Sequence, residues 1–436
     1  MLKIGNTKKI LINNIFWSTL GKIYRIGTET LVGVFVARYL GPSQFGIMNY
    51  VISFVTIFSI FAAFGLDNVE IRELAKGKKE KTILGTSFAL RILSSLFAFF
   101  IIVLILFLKD IDYSTSTLIM IYSLSVFLSS FNCIRNFFTA KLQNKYIVLT
   151  EILRCSIGAV FKICLLLINA PLIWFIIALT FDFVLVASGY TYSYKKKISK
   201  CFNWTFDFNT AKYLLKEGFP LLLSGAAVII YQRIDQIIIN DLLSAEAVGY
   251  FSAAAKFSEF ILFVPLIMSQ TMSPVLVKTR ESNKSNFKIY SQLFCDLIVW
   301  VSIGLAIIMS LLSTIIITYT YGSEYLPAIT VLQIMSFKTI GMSLSNVSGQ
   351  LIIIENKQRL AVLRNIVGCI FCVLGNYLLI PKYGIEGSAI ATIITVIMSG
   401  FIANYFIPSY REYFYIQIKS IISGPCRLLN HFINHV

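Results

Sequence analysis

Charged residues interrupt the long apolar stretches of this sequence, and their spacing is regular. Lys22, Arg25 and Glu29 follow one another at intervals of three and four residues inside the first apolar stretch, so they share one face of a helix. Lys256 and Glu259 have similar spacing in a later stretch. A charge at the centre of a bilayer costs roughly 2.5–3.5 kcal/mol even on the mildest scale. We therefore expect these side chains to face protein or water, where they can do chemistry.

The bases among these interrupting residues suit an anionic ligand. Inside the apolar stretches the bases outnumber the acids by four, which leaves an excess of four positive charges. A wet, cationic cleft within a membrane favours a ligand with several negative charges, such as a phosphate or a diphosphate. The candidate substrate-binding residues are Lys22, Arg25, Arg233, Lys256 and Lys338.

Three of the acids are candidates for coupling transport to an ion. Glu29, Asp235 and Glu259 could each titrate or exchange a cation, and the coupling ion would be H⁺ or Na⁺. Each could equally be the counter-ion of a neighbouring base. Charges nearer the ends of the apolar stretches are expected to pair between helices instead. These residues are Arg91, Glu151, Arg154, Asp296 and Arg364.

The elements that position these charges are membrane-spanning helices. Of the 436 residues, 57% are hydrophobic and 14% are charged, whereas about 25% of the residues of a soluble protein are charged. Each span needs about 20 apolar residues. The sequence therefore predicts an all-α polytopic membrane protein with about twelve spans. Their predicted limits are 11–37, 44–65, 82–108, 115–140, 147–168, 171–194, 212–242, 246–273, 288–318, 327–354, 358–380 and 385–409.

Basic residues in the loops predict the orientation of the chain. The loops on one side are rich in lysine and arginine, as in the lysine run at 195–197, whereas the opposite loops hold only Arg38, Lys109 and Lys382. Because basic loops remain in the cytoplasm, both termini are predicted to be cytoplasmic. The same rule explains the net charge of +17 without a nucleic-acid partner.

A basic polar segment divides the predicted spans into two sets of six. Residues 195–211 form a cytoplasmic linker between an N-terminal six-helix lobe, 1–194, and a C-terminal six-helix lobe, 212–410. Residues 411–436 are predicted to form an amphipathic cytoplasmic tail. Because six is an even number, both lobes enter the membrane from the same side, and an axis along the membrane normal should relate them.

The first spans of the two lobes end in similar segments. YLGPSQFGIMNYV at 39–51 corresponds to part of DLLSAEAVGYFSAAA at 241–255, and Gly46 and Gly249 hold the same place, 203 residues apart. In both segments a long span ends, a turn of small residues follows, and a new span begins near a glycine. This correspondence indicates an internal duplication.

Motifs for catalysis are absent from the sequence. It contains no P-loop and no Gly-rich nucleotide motif, and no histidine lies inside a span. Cys369 and Cys372 form an isolated CxxC pair inside a span, where buried apolar thiols are expected rather than a metal site. We therefore predict a transporter and not an enzyme, with no metal and no cofactor besides the coupling ion.

Five segments carry a resemblance to a known family. They are NxxFWSTLGKIYRIGTETLVGVFVARYLGPSQFG, FGLDNVEIRELAKGK, YQRIDQIIINDLLSAEAVGYFSAAAKFSE, YGSEYLPAITVLQIM and LIPKYGIEGSAIAT. With these segments in this order, the chain resembles the polysaccharide exporters, or O-antigen flippases, of the multidrug/oligosaccharidyl-lipid/polysaccharide superfamily. The resemblance implies a MATE-like pair of lobes around a cleft that opens alternately inward and outward. It also implies functional roles for a base in the first span and an acid in the seventh, positions that Arg25 and Asp235 occupy.

The resemblance implies a flippase of the bacterial cytoplasmic (inner) membrane that serves surface polysaccharide biosynthesis. Its substrate would be an undecaprenyl-diphosphate-linked oligosaccharide. Its partners would be membrane lipids, the polysaccharide polymerase and chain-length proteins. One alternative is a cation or drug antiporter of the same fold, against which the excess of bases argues. Another is a membrane glycosyltransferase or polymerase, which would need a longer outer loop than this sequence offers.

Overall fold

The fold is described from a computed structural model of the chain. It covers residues 4–77, 79–109, 111–198, 203–282 and 284–433, which form helices and connecting turns without any β-strand. Helices follow from the composition, because a chain inside a bilayer must satisfy its own backbone hydrogen bonds. The helices are α1 (Ile4–Ala63), α2 (Leu66–Ala75), α3 (Glu80–Leu108), α4 (Tyr113–Leu128), α5 (Asn132–Ala140), α6 (Asn144–Leu167), α7 (Leu172–Lys197), α8 (Phe208–Leu242), α9 (Ala245–Ile261), α10 (Phe263–Ser282), α11 (Lys284–Thr320), α12 (Ala328–Ser336), α13 (Lys338–Ile354), α14 (Ala361–Ile397), α15 (Ala403–Phe406) and α16 (Arg411–Ile433), with a π-helical segment at Met398–Ile402.

Two of the longest helices are each interrupted by a glycine. Gly41 in α1 has a φ of +68° and Gly384 in α14 has a φ of +58°, a left-handed conformation that favours glycine. A proline lies near each break: Pro42 follows Gly41, and Pro381 lies three residues before Gly384. Each break falls between two predicted spans, so the turns at these points were correctly predicted.

The described part of the chain contains nine helical segments that are long and apolar enough to cross a membrane. Two of these segments contain the breaks at Gly41 and Gly384, and each therefore includes two of the predicted spans. Helix α6, with 24 residues, is not among the nine. The all-α, multi-pass membrane fold is confirmed, and the count of about twelve spans stays a prediction.

The chain forms two compact units. The first comprises Met1–Leu40 and Ile47–Ile229, and the second comprises Gly41–Gly46 and Ile230–Val436. The chain thus enters the second unit and returns to the first inside α1, and it enters the second unit again inside α8. The limits predicted for the two lobes, the linker and the tail stay predictions.

A buried ion cluster joins α2, α3 and α5 in the first unit. Arg91, which is 1% exposed, donates to Glu70 at 2.8 Å and to Asp67 at 2.6 Å. The amide of Asn136 donates to the same two carboxylates. Burial opposes ionisation of Asp67, but Arg91 and Asn136 outweigh it and hold the pKa of this carboxyl below its usual value. Because a buried charge requires such partners, the cluster fixes α3 against α2 and α5.

The segment between α7 and α8 lies against α3 in the first unit. Its described residues, 203–207, are extended, and the Thr205 N–H donates to the Lys81 carbonyl at 3.4 Å. Asp207 then caps α8 by accepting hydrogen bonds from the hydroxyl and the backbone N–H of Thr210. These hydrogen bonds lower the pKa of Asp207. The start of α8 is therefore anchored in the first unit.

In the second unit, residues 41–46 contact the similar segment at 241–255. A side chain at Gly46 would overlap the carbonyl of Ala245, and a side chain at Gly249 would overlap the carbonyl of Pro42. The two contacts are equivalent, because Ala245 and Pro42, like Gly249 and Gly46, are 203 residues apart. The two similar segments therefore pack against each other, with glycine at each point of closest approach. The internal duplication itself stays a prediction.

The last helix, α16, packs against α11 in the second unit. Arg427 of α16 donates to both oxygens of the buried Asp296 carboxylate, at 2.8 Å each. The indole N–H of Trp300 donates to the Ser420 carbonyl at 2.9 Å. The pairing expected for Asp296 is therefore found, and its partner comes from the segment predicted to be a tail.

The glycine contacts generate a stability prediction. Gly249→Ala and Gly46→Ala should each lower the melting temperature of the purified protein in detergent, because the added methyl group overlaps a backbone carbonyl. Overpacking of this kind costs roughly 1–3 kcal/mol. The control is Gly304→Ala, at a helical glycine where the added carbon meets no atom within 4 Å. Equal melting temperatures for Gly249→Ala and Gly304→Ala would contradict the packing of the two similar segments.

Candidate functional site

In the first unit, α1 presents a charged face. Lys22 and Arg25 are half-buried, Glu29 is exposed, and the three residues lie on one side of the helix as their spacing predicts. Lys22 interacts electrostatically with Arg25 and with Glu151 of α6. Within the part of the chain that the structure describes, neither Lys22 nor Arg25 forms an ion pair shorter than 4.0 Å with an acid. Two predicted substrate-binding bases therefore lie side by side.

A chain of ion pairs runs from Glu29 into the interior of the first unit. Arg154 of α6 donates to Glu29 Oε1 at 2.7 Å and lies 3.8 Å from Asp182 Oδ2 of α7. Lys162 donates to the same Asp182 oxygen at 2.6 Å. Side-chain exposure falls from 53% for Glu29 to 16% for Arg154 and 7% for Asp182. Arg154 thus pairs between helices as expected, and Glu29 serves as a counter-ion.

In the second unit, Asp235 of α8 lies in a cradle of hydrogen-bond donors. The Cys372 thiol and the Asn376 amide each donate to Oδ1 at 3.1 Å, and the Thr392 hydroxyl donates to Oδ2 at 2.9 Å. Ser388 donates to the Asn376 carbonyl oxygen at 2.6 Å and so orients the amide. All five residues are buried. Such donors stabilise a negative charge, and the side-chain oxygens of Asp235, Asn376 and Thr392 are suitable ligands for a hard cation.

The two predicted bases nearest Asp235 have different environments. Lys338, the first residue of α13, interacts electrostatically with Asp235. Arg233 precedes Asp235 by two residues on α8, so the two side chains point in different directions. Arg233 is half-buried and forms no ion pair among the described residues, whereas Asp235 is buried. Of these two bases, Lys338 is the one for which an electrostatic interaction with Asp235 is found.

The remaining predicted residues lie on α9. The Lys256 ammonium lies 5.3 Å from the centre of the Phe45 ring, which is a cation–π contact. Phe45 is fully buried and belongs to the segment Gly41–Gly46 that packs on α9. Glu259, one turn further along α9, is exposed. Lys256 is thus placed beside the contact between the two similar segments.

Several side chains around Asp235 were not predicted from the sequence. Cys372 was expected to be an apolar thiol, and it instead donates a hydrogen bond to Asp235. Asn376 and Thr392 were not singled out, although Cys372 and Asn376 are four residues apart and so lie on one helix face. A polar residue one turn from a cysteine inside an apolar span is the signal that could have revealed this face.

Arg364 differs from its expected role. It was expected to form an ion pair between helices, but it donates to the Ser399 carbonyl at 3.0 Å and to the Ser345 hydroxyl at 3.1 Å. No carboxylate lies within ion-pair distance of its guanidinium among the described residues. Its partners come from the π-helical segment after α14 and from α13, so it fixes the packing of these elements in the second unit.

The structure thus places five of the eight predicted residues in two groups. Lys22, Arg25 and Glu29 are together in the first unit, and Asp235 and Lys338 are together in the second. Across the described ranges, no cluster of three or more His, Cys, Asp or Glu residues could hold a metal ion. The roles assigned to these residues in substrate binding and ion coupling stay predictions.

Sequence comparison shows the family of the chain. The family described as "polysaccharide biosynthesis protein" matches residues 11–280, and the chain belongs to it. A Shigella flexneri protein named as an O-antigen transporter is 22% identical over 417 residues, which cover 91% of this chain and 97% of that protein. The capsular polysaccharide biosynthesis protein CapF of Staphylococcus aureus is 26% identical over 246 residues, or 54% of this chain and 58% of CapF.

Structural comparison shows the fold. The lipid II flippase MurJ, in an inward closed conformation, aligns with a TM-score of 0.68 and 17% identity over 96% of this chain and 93% of MurJ. An inward-facing multidrug transporter of the MATE family aligns with a TM-score of 0.64 and 12% identity over 94% of this chain and 95% of that chain. The resemblance to polysaccharide exporters of this superfamily is therefore confirmed, and so is the transporter fold.

The cradle around Asp235 generates a second stability prediction. Thr392→Val should lower the melting temperature in detergent, because it removes the donor to Asp235 Oδ2. Loss of such a hydrogen bond costs roughly 1–3 kcal/mol. The control is Thr271→Val, because that exposed hydroxyl donates to the Ile267 carbonyl of its own helix. The effect of Thr392→Val should shrink in an Asp235→Asn background, and an equal effect in both backgrounds would show that Thr392 does not act through Asp235.

Proposed function

We propose that this chain is a flippase that moves an undecaprenyl-diphosphate-linked oligosaccharide from the inner to the outer leaflet of the bacterial cytoplasmic membrane. The carried unit serves surface polysaccharide biosynthesis, and both termini of the chain lie in the cytoplasm. One observation carries the proposal: Lys22 and Arg25 lie side by side on a half-buried face of a helix that is long and apolar enough to cross the membrane. The family and the names of the relatives support the substrate class.

The two bases suit a diphosphate by charge and by geometry. They lie about one helical turn apart, so both can contact the oxygens of one diphosphate. An arginine binds two oxygens with its planar fork, and a lysine supplies a point charge. Neither Lys22 nor Arg25 has to break an ion pair with an acid among the described residues. Because the dielectric constant inside a protein is lower than that of water, each of these contacts is stronger than it would be in solution.

The diphosphate is the part of the substrate that most needs a protein to cross the bilayer. Its charges cannot enter hydrocarbon without partners, whereas the polyprenyl chain is itself apolar and can stay in the lipid. The sugars are polar, so a water-filled cleft can hold them. Bases on a membrane-spanning helix therefore supply the positively charged partners that the hydrocarbon of the bilayer lacks. Alternating access then requires the substrate and the coupling ion to favour different conformations.

We propose that Asp235 binds the coupling ion, H⁺ or Na⁺. Its carboxylate is enclosed by the neutral donors Cys372, Asn376 and Thr392, so an added cation would neutralise it without breaking an ion pair in the cradle. Lys338 interacts electrostatically with this carboxylate. When the carboxylate is neutralised, Lys338 loses that attraction and can instead attract a phosphate. Ion binding and substrate binding are thus coupled through one lysine.

A second candidate function is antiport of a cationic drug. The observation that favours it is Asp235, a buried carboxylate that could hold a cation, in a fold shared with a MATE-family multidrug transporter. Lys22 and Arg25, which form no ion pair with an acid among the described residues, argue against it, because they repel a cationic ligand. Sensitivity to cationic drugs in cells that lack the protein, with normal surface polysaccharide, would favour this alternative.

The proposed role of Arg25 can be tested in cells. Arg25→Ala should stop polysaccharide export while leaving the amount of protein in the membrane unchanged, because a charge-assisted hydrogen bond of roughly 1.5–3 kcal/mol is lost. Arg25→Lys should retain part of the activity. Arg38→Ala, which removes an exposed base of the same helix, is the control and should export normally. Surface polysaccharide and membrane protein are measured by immunoblot, and normal export by Arg25→Ala would reject this role.

The proposed role of Asp235 can be tested in liposomes. Wild-type protein should move a labelled undecaprenyl-diphosphate oligosaccharide faster under either a pH gradient or a Na⁺ gradient, and the effective gradient identifies the ion. Asp235→Asn should respond to neither gradient, because an amide cannot take up either cation in the same way. Glu29→Gln and Glu259→Gln should still respond. If the gradient response survives in Asp235→Asn and disappears in Glu29→Gln or Glu259→Gln, the coupling residue is the glutamate replaced in that variant and not Asp235.

A further inference from the structure

Arg154 is held between two carboxylates that bind it unequally. It donates to Glu29 at 2.7 Å, whereas its nearest approach to Asp182 is 3.8 Å. A separation of 3.8 Å is too long for a hydrogen bond, so Glu29 is the carboxylate that is hydrogen-bonded to it. The Arg154 side chain retains 16% exposure, so its guanidinium is not sealed inside the first unit.

Glu29 is placed so that it can leave Arg154. Its side chain is 53% exposed, so it can move away from Arg154 without unpacking the first unit. Glu29 lies four residues after Arg25 on α1, so a phosphate at Arg25 would stand next to the Glu29 carboxylate and repel it. Arg154 is hydrogen-bonded to Glu29, which shares a helix face with Arg25, so Arg25 and Arg154 lie beside the same face of α1.

Arg154 should keep its position after Glu29 has left. Lys162 donates to Asp182 at 2.6 Å and balances its charge. Asp182 is therefore not expected to draw Arg154 away into a closer ion pair. Asp182 Oδ1 is buried and has no hydrogen-bond partner among the described residues. The Asp182 carboxylate therefore still attracts Arg154 from the interior of the first unit. The Arg154 guanidinium also lies 3.1 Å from the Cys155 sulfur. These contacts hold the side chain on the inner side while its outer side becomes free.

We propose that Arg154 is a third phosphate-binding base and that Glu29 masks it until the substrate arrives. This inference rests on the proposed function and extends the binding site from α1 to α6. A phosphate oxygen replaces the Glu29 carboxylate on Arg154, while Lys22 and Arg25 bind the other oxygens. When the substrate leaves, Glu29 returns to Arg154.

The exchange of one anion for another explains how a strongly charged substrate can be released. Three permanently exposed bases would hold a diphosphate too tightly, and an empty site would leave a guanidinium without a partner inside the membrane. With Glu29 as a competitor, Arg154 has an anionic partner at every stage. A monophosphate has fewer oxygens than a diphosphate, so it cannot bind Lys22, Arg25 and Arg154 together as well. The requirement to bind Arg154 therefore also selects for a diphosphate.

Equilibrium binding to the purified full-length protein in detergent tests this proposal, with undecaprenyl diphosphate and undecaprenyl phosphate as probes. Glu29→Gln should bind the diphosphate about fivefold more tightly, because the charge that competes for Arg154 is gone. Arg154→Ala should bind it about tenfold more weakly. The double variant should bind like Arg154→Ala alone, because Glu29 acts through Arg154. Glu281→Gln removes an exposed carboxylate from α10 and is the control, with wild-type affinity.

The outcomes separate this proposal from the proposed function. If the wild type binds the diphosphate but Glu29→Gln binds it equally or more weakly, the masking role is overturned and the flippase proposal is unaffected. A gain from Glu29→Gln that persists without Arg154 overturns it as well. Absence of saturable diphosphate binding by the wild type overturns both proposals. Because Arg154→Ala removes a contact between helices, Arg154→Lys with an unchanged melting temperature serves as the folded second variant, and it should recover part of the affinity.

Discussion

A charge inside a membrane needs a partner or water, and the arrangement of this protein depends on that requirement. Where a charge is fully enclosed, other helices supply its partners. Arg91 is bound by Glu70 and Asp67, and Asp296 is bound by Arg427. Removing one member of such a group would leave an unpaired buried charge at a cost of about 3–5 kcal/mol. These groups therefore determine which helices can lie next to each other within each unit.

The charges that are only partly enclosed are the ones that suit a substrate. Lys22 and Arg25 are half-buried and keep a share of their surface exposed, so an anion can approach them without dismantling the fold. Asp235 represents an intermediate case, because it is enclosed but its hydrogen bonds come from neutral groups. A cation can therefore bind to Asp235 and leave again without depriving a basic side chain of an ion-pair partner in the cradle. The distinction between structural and functional charges follows from exposure and from the charge of the neighbours.

The sequence was sufficient for features that depend on composition and on local periodicity. Long apolar runs predicted the spans, and the residues around Gly41 predicted a break in a helix. The partners across helices were not predictable in the same way, because spacing along one helix holds no information about the neighbour it packs against. The structure shows that Arg154 donates to Glu29 and that Cys372 donates to Asp235, and neither contact was predicted from the sequence. A thiol counts as apolar in any composition-based analysis, and only packing reveals that it donates to a carboxylate.

The central claim is that this chain moves a lipid-linked oligosaccharide between the leaflets. It is tested most directly by depleting the protein in cells that have no other exporter of this class and then locating the intermediate in spheroplasts. A glycosidase that cannot cross the membrane digests only what has reached the outer leaflet. The proposed function predicts that the intermediate accumulates and stays protected from digestion. Digestion at the same rate with and without the protein would contradict it.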